Sequence, residues 1–281
     1  MSCLLYGADV WGFNHGDIIE RLQLQFFKKT FGVTNCSPSY AVRLEAGRCK
    51  TEVTVYKMML KLWVKILKMP EHRTPRKLYN RLKTLSDRTD ISNNWVSQIY
   101  WILQQVGYDY LWEATDPTIV EDSLEDIIRK LALISWEEDW NFARTSSSSY
   151  YHHFQREDPI ATFVTTHPYR QRRVISQLRL ASRFYPFILL GDNTIGQFDP
   201  SRQCECCNLK SYETITHFLF VCPCYQVVRS KLLLPHLISL FRYCEDDDLI
   251  DILYNPSEEL TCDLYLFVSN CLKIRKFVLE E

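Results

Sequence analysis

TEVTVYKMMLKLWVKILKM, from Thr51 to Met69, carries the clearest periodicity in the sequence. Val55, Met58, Met59, Leu62, Ile66 and Met69 recur at three- and four-residue steps, the spacing of one helix face. Pro70 ends the pattern, because a proline disfavours an α-helical residue before it. The stretch is not a membrane span. Lys57, Lys61, Lys65 and Lys68 interrupt Tyr56–Met69, and a spanning helix needs about 20 mostly apolar residues. These four lysines recur at helical spacing and put positive charge along one face.

Outward from this helix the same periodicity dominates. Ile18, Ile19, Leu22, Phe26 and Phe27 predict a helix that stops at Gly32. Ser37 and Pro38 open a short helix through Ala41–Ala46, ended by Gly47. Further helices are predicted over Pro75–Leu85, Trp95–Val106, Ser123–Phe142, Pro168–Ala181, Thr216–Leu234 and Ser257–Leu279. Ser123 reads as an N-cap with Asp126 in an acidic first turn. Phe184–Pro200 is turn-rich, and Ser146–Ser149 reads as a loop or helix end. The expected class is mostly α. A chain of 281 residues with only 8 glycines leaves little material for Gly-rich phosphate loops or a many-turned β fold.

The formal net charge of -1 conceals segregation. Residues 1–90 hold 16 Lys/Arg against 8 Asp/Glu, and residues 91–160 hold 4 against 12. Residues 161–230 hold 8 against 4, and residues 231–281 hold 5 against 10. Alternating basic and acidic blocks suit either a nucleic-acid face or solvated helix surfaces. The near-zero total and 46% hydrophobic content exclude a disordered polyelectrolyte. The N-terminus lacks a basic region and a long apolar run, so a nuclear or cytoplasmic location rather than secretion is expected, with no membrane association.

Eleven cysteines cannot all pair internally. Cys204, Cys206, Cys207, Cys222 and Cys224 fall within 21 positions, which points to metal. Cys204-x2-Cys207-x9-His217-x4-Cys222 offers three thiolates and an imidazole, the ligand types of tetrahedral zinc. Four protein ligands leave no open position, so the expectation is one structural zinc. Cys206 competes with Cys204 as a ligand, but C-x2-C suits a tight turn better than C-x-C. Cys206 and Cys224 are therefore surplus, as buried apolar residues or bystander thiols.

The residues around that constellation carry a resemblance. Glu213-Thr214-Ile215-Thr216-His217-Phe218-Leu219-Phe220-Val221-Cys222-Pro223-Cys224-Tyr225, then Arg229, resembles the C-terminal zinc-binding segment of non-LTR retrotransposon reverse transcriptases. Gln177-Leu178-Arg179-Leu180-Ala181 and Asp199-Pro200-Ser201-Arg202 match that family's approach to its first cysteine. Leu4-Leu5-Tyr6-Gly7-Ala8-Asp9-Val10-Trp11 is similar to the region just after the polymerase palm. So are Ile19-Glu20, Phe26-Phe27-Lys28, Ala41-Val42-Arg43, Glu45 and Gly47-Arg48. The resemblance covers nearly the whole chain. It implies a basic thumb-like helical unit over 1–90 and an acidic helical connector over 91–160. A C-terminal helical unit over 161–281 would follow, with its zinc-binding segment at 199–229. Met1 then reads as an internal start, and the chain as a truncated remnant.

No Tyr/Phe-x-Asp-Asp motif occurs, and such paired carboxylates would hold the two catalytic metals. Tyr243-Cys244-Glu245-Asp246-Asp247-Asp248 places Glu245 where the first aspartate should stand, and reads as an acidic solvated loop. Palm and endonuclease counterparts are absent, so no catalysis is expected from this chain. Glu137, Glu138 and Asp139 read as a solvated helix face, and Trp136 and Trp140 as core.

The expected function is binding of RNA or DNA. Lys57, Lys61, Lys65 and Lys68 form a candidate phosphate-binding stripe. Arg170, Arg172, Arg173 and Arg179 form a second candidate cluster, interleaved with the stacking aromatics Tyr169, Phe184 and Tyr185. The alternative is a helical structural or protein-interaction module with a structural zinc, in which acidic blocks neutralise basic ones.

Overall fold

The computed structural model describes residues 4–86, 94–114, 116–147, 151–154, 168–184, 186–191, 194–237, 246–254 and 256–279. Among the described residues there are twelve α-helices and one two-stranded sheet, so the protein is mostly α. Tyr185 and residues 243–245 lie outside the described residues, as do residues 148–149 of the serine run.

The chain divides into two compact units. The first comprises Met1–Gln23 and Cys49–Glu138, and the second Leu24–Arg48 and Asp139–Glu281. This division does not follow the charge blocks. Lys28, Lys29, Arg43 and Arg48 go with the second unit, and the four helix lysines with the first.

The first unit is built around the helix Thr51–Leu67. Its buried face is Val55, Met59, Leu60, Trp63, Val64 and Ile66, whereas Met58, Leu62 and Met69 are half-buried. The buried arc is wider than one stripe because several elements flank it, including Ala8–Trp11, Thr74–Thr84 and Trp95–Gln105. Val96, Ile99, Ile102, Leu103, Leu111 and Trp112 complete much of this core. Trp63 donates from its indole to the Tyr79 hydroxyl at 3.1 Å, satisfying a polar atom that burial would otherwise strand.

The long helix Pro117–Thr145 begins six residues before Ser123. Asp116 supplies the cap, accepting the Thr118 N–H at 2.9 Å, and Pro117 takes the first helical position. Ser123 lies inside the helix and donates to the Ile119 carbonyl at 2.9 Å. The Asp-Pro pair outranks serine as a start signal because proline's fixed φ suits the first turn.

In the second unit the helix Glu258–Leu279 packs against Tyr169–Arg179 and against Gln226–Leu232. The turn-rich segment forms a hairpin, β1 (Phe187–Leu190) and β2 (Thr194–Gln197), paired from Phe187 with Gln197 to Leu190 with Thr194. A Cβ at Gly196 would stand 2.5 Å from the Leu272 side chain, which would have to shift to admit it. Asp139 is buried, not solvated. The Arg43 guanidinium grips its carboxylate bidentately, with Nε at 2.7 Å. Glu45 is 1% exposed and accepts from the Tyr151 hydroxyl, the Ser176 hydroxyl and Arg179.

Candidate metal centre

The segment predicted as one helix over Thr216–Leu234 is broken, and the break builds the site. A π-helical turn spans His217–Val221, and a helix resumes at Gln226–Leu232. Cys222 leaves helical geometry at φ -55°, ψ 120° because Pro223 follows it. Its N–H still donates to the His217 carbonyl at 2.8 Å, a five-residue step that closes the π turn. The break takes the helical donor from the Leu219 carbonyl, four residues before Pro223, and leaves the Cys222 carbonyl only the Tyr225 N–H at 3.3 Å. The buried Arg229 guanidinium donates to both carbonyls, at 2.7 and 2.8 Å. At the other end Thr214 accepts the His217 N–H through its hydroxyl at 3.0 Å.

Cys204 and Cys207 come from a tight knuckle. Asp199-Pro200-Ser201-Arg202 forms a turn in which the Arg202 N–H donates to the Asp199 carbonyl at 2.9 Å. The Asp199 side chain accepts the Ser201 N–H at 3.0 Å. The chain then runs antiparallel to its own return. Gln203 bridges Tyr212, and the Cys204 N–H donates to the Ser211 carbonyl at 2.9 Å. Lys210 sits in the left-handed region at φ 54° to make the return.

These two pieces bring Cys204, Cys207, His217 and Cys222 together, with their ligand atoms all within 4.8 Å of one another. The Cys204 and Cys222 sulfurs are 4.0 Å apart, and Cys207 Sγ is 3.4 Å from His217 Nε2. Tetrahedral zinc with Zn–S of about 2.3 Å would set two sulfurs about 3.8 Å apart and a sulfur–nitrogen pair about 3.6 Å apart. These two pairs match a metal ion's shell to within a few tenths of an ångström. Cys204, His217 and Cys222 are buried and Cys207 is half-buried.

Burial pushes the Cys204 thiol up to about 11 and the Cys222 thiol up as well. Burial, with the Arg229 charge behind it, holds the His217 imidazole below its usual value. His217 Nδ1 is buried with no partner among the described residues. A cation would convert these thiols to thiolates and draw the four groups together.

Cys206 and Cys224 lie outside the four-ligand group. Cys206 Sγ accepts from the Tyr225 hydroxyl at 3.5 Å and from Arg275 Nη1 at 3.6 Å. Arg275, from the C-terminal helix, also pairs with the buried Glu213 and donates to the Gln197 carbonyl at 3.3 Å. Phe218 packs against Phe198, Tyr225 and Phe267, with ring centroids 4.9, 5.1 and 5.9 Å away. Sequence reading did not assign roles to Thr214, Arg229 or Arg275. Arg229, seven residues past Cys222, carried a signal only through the resemblance. The nine described cysteines are all free thiols.

The basic candidates divide between the two units. Lys61, Lys65 and Lys68 are exposed along one helix face and Lys57 is half-buried beside them. Lys68 is paired with Glu121, which cancels its charge locally. Arg170 is exposed, and Arg172 and Arg173 are half-buried. Arg179 does not belong with them. It is fully buried, paired with Glu45 at 3.4 Å and donating to the carbonyls of Leu253 and Tyr254. Its place in the apolar stripe of its helix, two turns from Arg172, draws it inward. Tyr169 and Phe184 are 49% and 58% exposed. No helix among the described residues is long and apolar enough to cross a membrane. Compared with protein-family models, curated proteins and solved structures, the chain gives no match.

Proposed function

We propose that the chain holds one structural zinc ion and binds RNA or DNA without catalysis, as a relative of the C-terminal part of non-LTR retrotransposon reverse transcriptases. The observation that carries the metal reading is the convergence of three sulfurs and one imidazole within 4.8 Å. Zinc is favoured because it takes thiolate and imidazole ligands at a tetrahedral site, and four protein ligands fill the shell. Glu213, His217, Cys222 and Arg229, among the residues that carry the resemblance, lie in or beside this centre, which supports the family reading.

Nucleic-acid binding is supported by Lys57, Lys61 and Lys65. They follow one helix face and form no ion pair among the described residues. Three phosphate contacts on duplex DNA imply a log–log salt slope of about -2.7, or roughly fortyfold loss of affinity between 50 and 200 mM salt. Fluorescence anisotropy with short RNA and DNA duplexes measures this directly. The reading requires salt-dependent binding that falls in a Lys57→Gln/Lys61→Gln/Lys65→Gln variant. A second reading, a protein-interaction module, draws on two ion pairs, Lys68 with Glu121 and Lys50 with Glu138, which neutralise basic charge inside the first unit. Undetectable affinity at low salt would select it.

A further inference from the structure

Tyr169, Arg172, Arg173 and Ser176 stand at steps of three, one and three, which is one face of the helix Tyr169–Arg179. With Phe31 and Glu45 opposite, they line a cavity of about 80 Å³ in the second unit. Most of its polar groups are already occupied. The Tyr169 hydroxyl donates to the Thr30 carbonyl at 2.8 Å, and the Ser176 hydroxyl donates to Glu45 at 2.7 Å. The Phe31 carbonyl accepts from Gln177 at 3.0 Å. Glu45 also accepts from Tyr151 at 3.0 Å and pairs with Arg179, so its charge is cancelled within the core.

Two guanidinium groups remain. Arg172 and Arg173 form no ion pair among the described residues, and the Nε atom of each is buried without a partner. Gly32, at φ 68°, leaves room for Arg173, because a Cβ there would fall inside the guanidinium. Two half-buried cations beside a neutralised carboxylate have no counter-charge among the described residues, and buried polar groups in folded proteins are normally partnered. The paired N–H donors of arginine match the oxygens of a tetrahedral oxyanion. A single phosphate group fits this volume.

We infer that this cavity binds a single phosphate group, supplied by a nucleic-acid strand. The source of the phosphate rests on the nucleic-acid reading; the cavity's chemistry does not. The test is thermal unfolding and calorimetric titration of the full chain at constant ionic strength. The probes are inorganic phosphate and a single-stranded RNA decamer with either a 5′-phosphate or a 5′-hydroxyl. Wild type should be stabilised by inorganic phosphate over chloride, and an Arg172→Gln/Arg173→Gln variant should bind phosphate at least tenfold more weakly. An Arg172→Lys/Arg173→Lys variant keeps the charge and loses the fork. It should also bind phosphate more weakly while retaining its circular dichroism and metal, so it serves if the Gln variant does not fold. Preference for the 5′-phosphorylated strand assigns a terminal phosphate, and equal binding of both strands, weakened in the variant, assigns an internal phosphodiester. Phosphate binding with no strand binding would keep the cavity and remove the nucleic-acid reading. Absence of any phosphate effect on wild type, with strand binding unchanged in the variants, would overturn the cavity and leave that reading standing.

Discussion

The helix Thr51–Leu67 and the segment from Asp199 to Arg229 hold their shapes by different means. The first buries Val55, Met59, Leu60 and Trp63 almost completely against neighbouring helices, and apolar area is the main thing that orders it. The second has a knuckle, a π turn, a three-residue 3-10 turn and one seven-residue helix. Elements this short do not stand on propensity. They are tied by Thr214, Arg229, Arg275, the Phe218 cluster and four convergent metal-ligand groups. Periodic sequence builds a unit ordered mainly by burial, whereas an aperiodic segment needs cross-links.

Metal removal should separate the two most sharply. Structural zinc contributes apparent binding free energies of about 10–16 kcal/mol in isolated fingers. A chelator, or Cys222→Ser, should therefore release protection of amides in 199–229 by large factors. Amides in Thr51–Leu67 should exchange as before, as measured by hydrogen exchange. Equal loss in both would erase the distinction.

Trp63→Ala applies the converse stress. Removing a fully buried indole costs about 3–5 kcal/mol. Chemical denaturation should show that loss in the first unit, with metal content unchanged.

Acidity should act on the metal segment alone. The Cys204 and Cys222 thiols, raised by burial, are fully protonated near neutral pH, and a metal must displace both protons. Affinity should fall at least about a hundredfold for each pH unit lowered from 8 to 7, read by competition with a metal indicator. His217, lowered by burial, stays neutral across that window and adds no proton. In the metal-free protein the raised thiols contribute stability that is present below about pH 9, their ordinary value, and is lost as pH rises through their folded values.

The smallest effect belongs to the helix cap. Asp116→Ala should lower the melting temperature only slightly, by loss of the hydrogen bond to Thr118, as read by thermal unfolding. Thr118 holds the Asp116 carboxyl below its usual value, so this contribution should fade as pH falls through the carboxylate range.

The contrast also explains what could be read in the sequence. Helix ends marked by Gly32, Gly47 and Ser257 fall where expected, because a left-handed glycine or a serine cap acts within one turn. The four metal-ligand groups were legible because thiol and imidazole spacing is itself local chemistry. Asp139 and Arg179 were misread, since their partners Arg43 and Glu45 lie 96 and 134 positions away. The break after Cys222 had a local sign in Pro223, overridden by the apolar run His217–Val221. Arg275 was invisible, as its partners Glu213 and Cys206 are more than 60 positions distant.

The central claim is one metal held by Cys204, Cys207, His217 and Cys222. Native mass spectrometry of protein purified under reducing, chelator-free conditions tests it most directly. The account predicts a single zinc per chain, lost in Cys222→Ser and in His217→Ala and retained in Trp63→Ala. A metal-free chain that is fully folded, or zinc that persists in both ligand variants, would contradict it.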